Sequence, residues 1–172
     1  MPRVTSRFET ADIKRFYDRH SASFVRFGQG RASIHRAVWG PGTRTREDAF
    51  HYVDEQVAVA VRRFVSPPRD VHVVDLGWGV GASLCYLAER LPIRGTGITL
   101  SPAQAAMARQ VFAAAGLSQR VECIEGDYCD VPATLAPADV AYAIESFVHG
   151  PSPERFFSEC RRLIKPGGLL IV

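Results

Sequence analysis

After Pro67-Pro68 the chain settles into one rhythm, and that rhythm restricts its fold more than any other feature. Short β-branched runs at Val71–Leu76, Ile93–Ile98, Val121–Ile124, Asp139–Ile144 and Leu169–Val172 alternate with stretches of helical spacing. Those stretches lie near Ala82–Arg90, Pro102–Ala115 and Pro153–Ile164. Strands separated by helices of this length require right-handed crossovers, and so an α/β fold with a doubly wound, mostly parallel sheet. Gly116 closes the second helix, and Lys165-Pro166-Gly167-Gly168 reads as the close of the third. The final run, Leu-Leu-Ile-Val, would be a bare apolar edge of the kind soluble proteins avoid. Further C-terminal strands, or a partner chain, are therefore expected to cover it.

Before the prolines the spacing predicts helices over Asp12–Phe27 and Arg46–Val65, joined by a Gly- and aromatic-rich loop. The chain thus divides into a helical cap, residues 1–69, and a core, residues 70–172. The cap holds 13 Lys/Arg against 7 Asp/Glu, and the core 8 against 11. The cap's basic residues stand singly among aromatics and acids, which does not suit nucleic acid. A solvated surface or a small anionic substrate fits better. No apolar run approaches the roughly 20 residues of a membrane span, and the charged first residues show no secretory signal. Cys85, Cys123, Cys129 and Cys160 form no CxxC pair, so reduced thiols in a cytoplasmic protein are expected. No metal site is indicated, and homo-oligomerisation stays open.

The first strand runs into VVDLGWGVG, which puts Gly77, Gly79 and Gly81 in a tight turn at the start of a helix. Glycines suit a sharp turn that a ligand approaches closely. A dinucleotide fits poorly, because the third glycine comes one residue too early for G-x-G-x-x-G. The carboxylate of Asp75 would also repel a pyrophosphate, whereas it would attract a cationic amino-acid ligand.

DLGWGVG resembles the first motif of class I S-adenosylmethionine-dependent methyltransferases, which implies a Rossmann-like core. It also implies S-adenosyl-L-methionine as cofactor, S-adenosyl-L-homocysteine as its product, and Asp75 and the glycines around the methionine portion. Trp78 replaces the family's usual Cys or Ser and would narrow that site. GITLSPAQ resembles a narrower group, the sterol and tocopherol methyltransferases and cyclopropane fatty acid synthases. That likeness implies cofactor contacts at Thr99, Leu100, Ser101 and Gln104. Ser101 also reads as a helix N-cap before Pro102. In EGDYCDVP, Asp127 and Tyr128 match the family's adenine contacts, and Asp127 serves equally as a turn residue.

The fourth strand and its continuation, YAIESFVHGPSP, resemble the sterol C-methyltransferases. Ile144 would line the cofactor, and Glu145 and His149 would reach the crevice at the strand ends. Methylating an alkene leaves a carbocation that a carboxylate can stabilise and a base must deprotonate. Glu145 is the expected base or cation stabiliser, with His149 as its partner. Alternatively, Glu145 fixes the methionine end or caps the loop, and His149 is structural. In the cap, Tyr17, His35 and Trp39 match the group's lid over cofactor and substrate, although the cap's aromatics could equally be core. Arg31, Arg36, Arg44 or Arg46 could hold an anionic head group.

The leading expectation is C-methylation of a small apolar isoprenoid or other alkene, anionic if the arginines take part. O- or N-methylation of a natural product and a non-catalytic cofactor-binding module are the alternatives.

Overall fold

The computed structural model describes residues 9–27, 33–65 and 70–172. Two helices, α1 (Thr10–Phe27) and α2 (Arg46–Phe64), precede the sheet. Then follow β1 (Val71–Leu76), α3 (Ala82–Arg90), β2 (Ile93–Thr99), α4 (Pro102–Ala114), β3 (Val121–Glu125), β4 (Ala138–Tyr142), a 3-10 turn (Phe147–His149), α5 (Pro153–Leu163) and β5 (Ile164–Ile171). The strands form one parallel sheet in the order β3-β2-β1-β4-β5. This is the doubly wound α/β architecture expected from the alternation of strands and helices.

The central strand β1 is buried along its whole length, as a parallel strand with helices on both faces must be. Its alternate side chains feed two cores. Val71 and Val73 pack with α2, α3 and α4, through residues including Val57, Val61, Leu84, Leu87 and Phe112. Val74 and Leu76 pack with Phe156, Cys160 and Leu163 of α5. α2, assigned to the cap by sequence, therefore buries its apolar stripe in the same core as the sheet. The α1 helix instead lies against α4.

Local signals start the helices where they stand. Thr45 and Asp48 form a reciprocal capping box on α2. Ser101 and Ser152 cap α4 and α5, each followed by proline in the first turn. The α1 helix begins two residues earlier than its spacing predicts.

β5 departs further from expectation. Lys165–Gly168 does not separate helix from strand, because Ile164 already pairs with Ala138. The next four residues bulge out, and pairing resumes at Val140 with Leu169. β-branched, apolar Ile164 gains by joining the sheet. The bulge turns at Gly167, at φ 77°, and lets Lys165 Nζ donate to Asp139 Oδ2 at 2.8 Å.

The strand order reverses beside β1, whose neighbours are β2 and β4. In open α/β sheets the ligand crevice lies beyond the C-terminal ends of the strands at such a point.

A candidate cofactor and active-site cleft

A cleft opens at that place. Asp75, Gly77, Gly79 and Ser83 line it from the β1–α3 side, and Thr99, Leu100, Ser101 and Gln104 from the β2–α4 side. Asp127 and Tyr128 follow β3 into it, Ile144, Glu145, Ser146 and His149 follow β4, and Tyr17, Ile34 and His35 arrive from the N-terminal segment. The fold thus brings together residues more than a hundred positions apart.

Two expected site residues lie elsewhere. Trp39 is 64% exposed and does not line the cleft. Gly81 stands behind it at φ 83°, where a Cβ would meet the Phe112 ring at 2.9 Å, so that glycine makes room for packing. Trp78 lines the cleft and also packs behind it. Its indole is 5% exposed and stacks on Phe112, with ring centroids 5.3 Å apart. It lies over Gly97, where a Cβ would come within 1.8 Å of the ring. The indole therefore fills much of the core beneath the turn, while Trp78 still lines the cleft. Arg31 lies outside the described residues, and neither Arg36, Arg44 nor Arg46 lines the cleft.

The glycine turn leaves its backbone bare. Gly77 and Gly79 sit at φ 89° and 59°, in the left-handed region. A Cβ at Gly77 would strike Ser146 Cβ at 2.5 Å, and the Ser146 hydroxyl donates to the Leu76 carbonyl. The loop after β4 is thereby fastened to the turn after β1. Across the cleft, Thr99 Oγ1 donates to Gln104 Oε1 at 2.7 Å, and Ser101 Oγ accepts from Gln104 N at 3.2 Å. Ser101 Oγ also donates to Asp18 Oδ1, which binds α1 to the start of α4. Asp127 Oδ1 accepts from Cys129 N at 2.8 Å, so it shapes its turn while lining the cleft.

Two carboxyl groups dominate the electrostatics. Burial pushes Asp75 up to about 7. The buried Tyr142 hydroxyl beside it opposes that rise only in part, and itself forms no hydrogen bond of good geometry among the described residues. A cation placed against Asp75 would restore its charge. Glu145 is the only non-glycine at positive φ among the described residues, at 51°. Such strain is retained where the surroundings fix it, and here Glu145 Oε1 accepts from Arg36 N at 3.3 Å. Tyr17 OH lies 3.1 Å from His149 Nε2, closing one lip of the cleft, and burial followed by the Glu145 charge raises the Tyr17 pKa.

Sequence reasoning missed one feature of this wall. His35 Nε2 faces Asp54 Oδ1 at 3.4 Å, and His51 Nδ1 lies 2.9 Å from Asp54 Oδ2. Asp54 is fully buried on α2. Burial would raise its pKa, but the interactions with His35 and His51 outweigh that and hold it at about 2. An acid at a helical position that the apolar stripe should occupy was the available signal.

The model of the methyltransferase domain matches residues 74–172, more than half of the chain. The chain belongs to the methyltransferase-domain family. It is 37% identical over 100 residues to the tocopherol O-methyltransferase, chloroplastic, of Arabidopsis thaliana, covering 58% of this chain and 29% of that one. It is 34% identical over 103 residues to the sterol 4-C-methyltransferase strm-1 of Caenorhabditis elegans, covering 60% and 30%. Among solved structures, the 4+2 cyclase SpnF superposes with a TM-score of 0.81 at 28% identity, over 92% of this chain and 58% of that one. A SAM-dependent methyltransferase of Geobacter sulfurreducens in complex with S-adenosyl-L-homocysteine gives 0.56 at 30% identity, over 69% and 46%. The chain spans about a third of these two curated relatives.

The cofactor of this family is S-adenosylmethionine, and the cleft suits it. A bare glycine turn, a carboxyl group that gains from a neighbouring cation and a polar β2–α4 loop match its amino-acid, sulfonium and nucleoside parts. Among the described residues, no cluster of His, Cys, Asp or Glu could hold a metal ion, and no helix is long and apolar enough to cross a membrane.

Proposed function

We propose that this chain carries the cofactor site of a methyltransferase that methylates carbon in an alkene-bearing small molecule, of the isoprenoid class. The observation that carries this reading is that Asp75, at the cofactor turn, and Glu145, on a strained backbone after β4, line the same cleft.

When bound, the cofactor supplies an electrophilic methyl group on a sulfonium. Asp75, Gly77 and Gly79 would hold its amino-acid end, and Thr99, Leu100, Ser101, Gln104, Asp127, Tyr128 and Ile144 its nucleoside side. Transfer of that methyl to an alkene, with the S–CH3 electron pair left on sulfur, would leave a carbocation on the substrate. Glu145 stabilises that cation and takes the proton from the adjacent carbon, so the substrate gains one methylene equivalent. His149, tied to Tyr17, orders the lip beside Glu145.

The curated relatives include a sterol C-methyltransferase, and the acidic group at the reacting end suits a carbocation. The likeness to a tocopherol O-methyltransferase favours a second reading, in which a hydroxyl is the acceptor and His149 its base. Glu145→Gln separates the two. Under the first, methylation of carbon falls at least a hundredfold, the lower range of general-base contributions, while S-adenosylhomocysteine still binds. Under the second, turnover survives. The acceptor itself is sought by mass spectrometry, screening prenyl diphosphates, sterols and unsaturated lipids with the full-length protein. Four free cysteines accord with a reducing compartment.

A further inference from the structure

The cleft wall contains a buried His35–Asp54 pair that the methyl-transfer step does not use. Both ring nitrogens of His35 face acceptors. Nδ1 lies 3.2 Å from the Arg36 carbonyl oxygen, and Nε2 lies 3.4 Å from Asp54 Oδ1. A neutral imidazole has one N–H and would turn a lone pair toward one of them, whereas the imidazolium presents a proton to each. The contact with Asp54 is too misaligned for a hydrogen bond of good geometry, and among the described residues neither His35 Nε2 nor Asp54 Oδ1 has another such bond. The side chains are 7% and 0% exposed. Burying two unpartnered polar atoms is costly unless charge joins them.

The groups around this pair come from every neighbouring element. α2 supplies Asp54 and His51, α3 supplies Ser83 and Tyr86, β1 supplies Asp75, β4 supplies Tyr142, and the loop after β4 supplies Glu145. Burial works against the charged imidazole, but Asp54, the Arg36 carbonyl and Glu145 together raise its pKa.

The cleft needs such a charge. It is lined by the carboxyl groups of Asp75, Asp127 and Glu145, and its described lining residues include no Lys or Arg, only His35 and His149. The amino-acid tail of an S-adenosyl ligand carries an ammonium, which Asp75 suits, and also a carboxylate, which the acidic walls would repel. We propose that Asp54 is a positioning residue that holds His35 as an imidazolium, and that this cation faces the carboxylate end of the ligand's amino-acid tail. The proposal rests on the assignment of the cleft as the S-adenosylmethionine site.

Calorimetry with S-adenosylhomocysteine and with its decarboxylated analogue tests it. The native protein binds the first more tightly. Asp54→Asn and His35→Gln each weaken S-adenosylhomocysteine about tenfold, the scale of a charge-assisted contact, and leave the analogue within about twofold. The native preference for the carboxylate shrinks as pH rises through the His35 titration. In the native protein, nitrogen NMR of the ring shows both nitrogens protonated at pH 7, which needs no variant to fold. His35 titrating at or below its ordinary 6.5 would overturn the proposal, as would equal weakening of both ligands in His35→Gln or weakening of neither. Failure of the native protein to bind either ligand defeats the assignment of the cleft, and this proposal with it.

Discussion

Asp75 sets the cleft against the stability of the fold. Its carboxyl is completely buried and pushed up from 3.8 to about 7. In the unfolded chain it ionises near 3.8, so between pH 4 and 7 the folded state holds a proton that the unfolded state has lost. Stability from this group is present in full below about pH 4 and is lost as pH rises through 7. The gap amounts to on the order of 4 kcal/mol. Asp75→Asn is therefore expected to raise the urea midpoint of the ligand-free protein at pH 8, and to leave it nearly unchanged at pH 4, while S-adenosylhomocysteine binding is lost. Glu145 is the second residue with this tension, since its left-handed backbone costs about 1–2 kcal/mol that glycine would avoid. Glu145→Gly should gain roughly 1 kcal/mol in chemical denaturation and abolish the proposed methylation of carbon. Of these two residues, Asp75 was legible from its place before a glycine turn, and so was the motif around Glu145. The strain at Glu145 and the burial of Asp75 were not, because both arise from contacts with distant segments.

At the scale of elements, the turn after β1 depends on an aromatic pair behind it. Trp78 stacks on Phe112 of α4 and covers Gly97 of β2, so one side chain joins three elements. Sequence expected the indole to narrow the cofactor site; Trp78 does line the cleft, but its stacking on Phe112 behind the turn was not legible from adjacency to Gly77 and Gly79. Two glycines that look like ligand or strand residues, Gly81 and Gly97, in fact make room for that stack. Gly97→Ala forces the ring to move and should cost about 1–3 kcal/mol as an overpacked core. Trp39 is exposed and Trp78 buried, so the blue component of the tryptophan emission reports the second. It should shift to the red in Gly97→Ala. The bulge in β5 was hidden for a similar reason, since Lys-Pro-Gly-Gly reads as a terminator and only the pairing of Ile164 with Ala138 makes it an interruption. Where a signal was local, as in the serine caps of α4 and α5, the boundary followed from the residues.

Across the whole molecule, the parallel sheet was legible because hydrophobic periodicity and helix length leave few topologies open. The cleft was legible because its motifs sit at strand ends, where such folds bind ligands. The wall formed by His35, Asp54 and His51 was not, since it depends on α2 joining the sheet's core instead of capping it. That wall gives the cleft acids and a base in one enclosure, suited to a ligand with both charges. Calorimetric titration of the native protein with S-adenosylhomocysteine near pH 6.5, in buffers of different ionisation enthalpy, tests the electrostatic account most directly. Binding should be saturable and should release protons, because the ligand's ammonium drives Asp75 toward its ionised form. No heat at millimolar ligand, or binding without proton release, would contradict it.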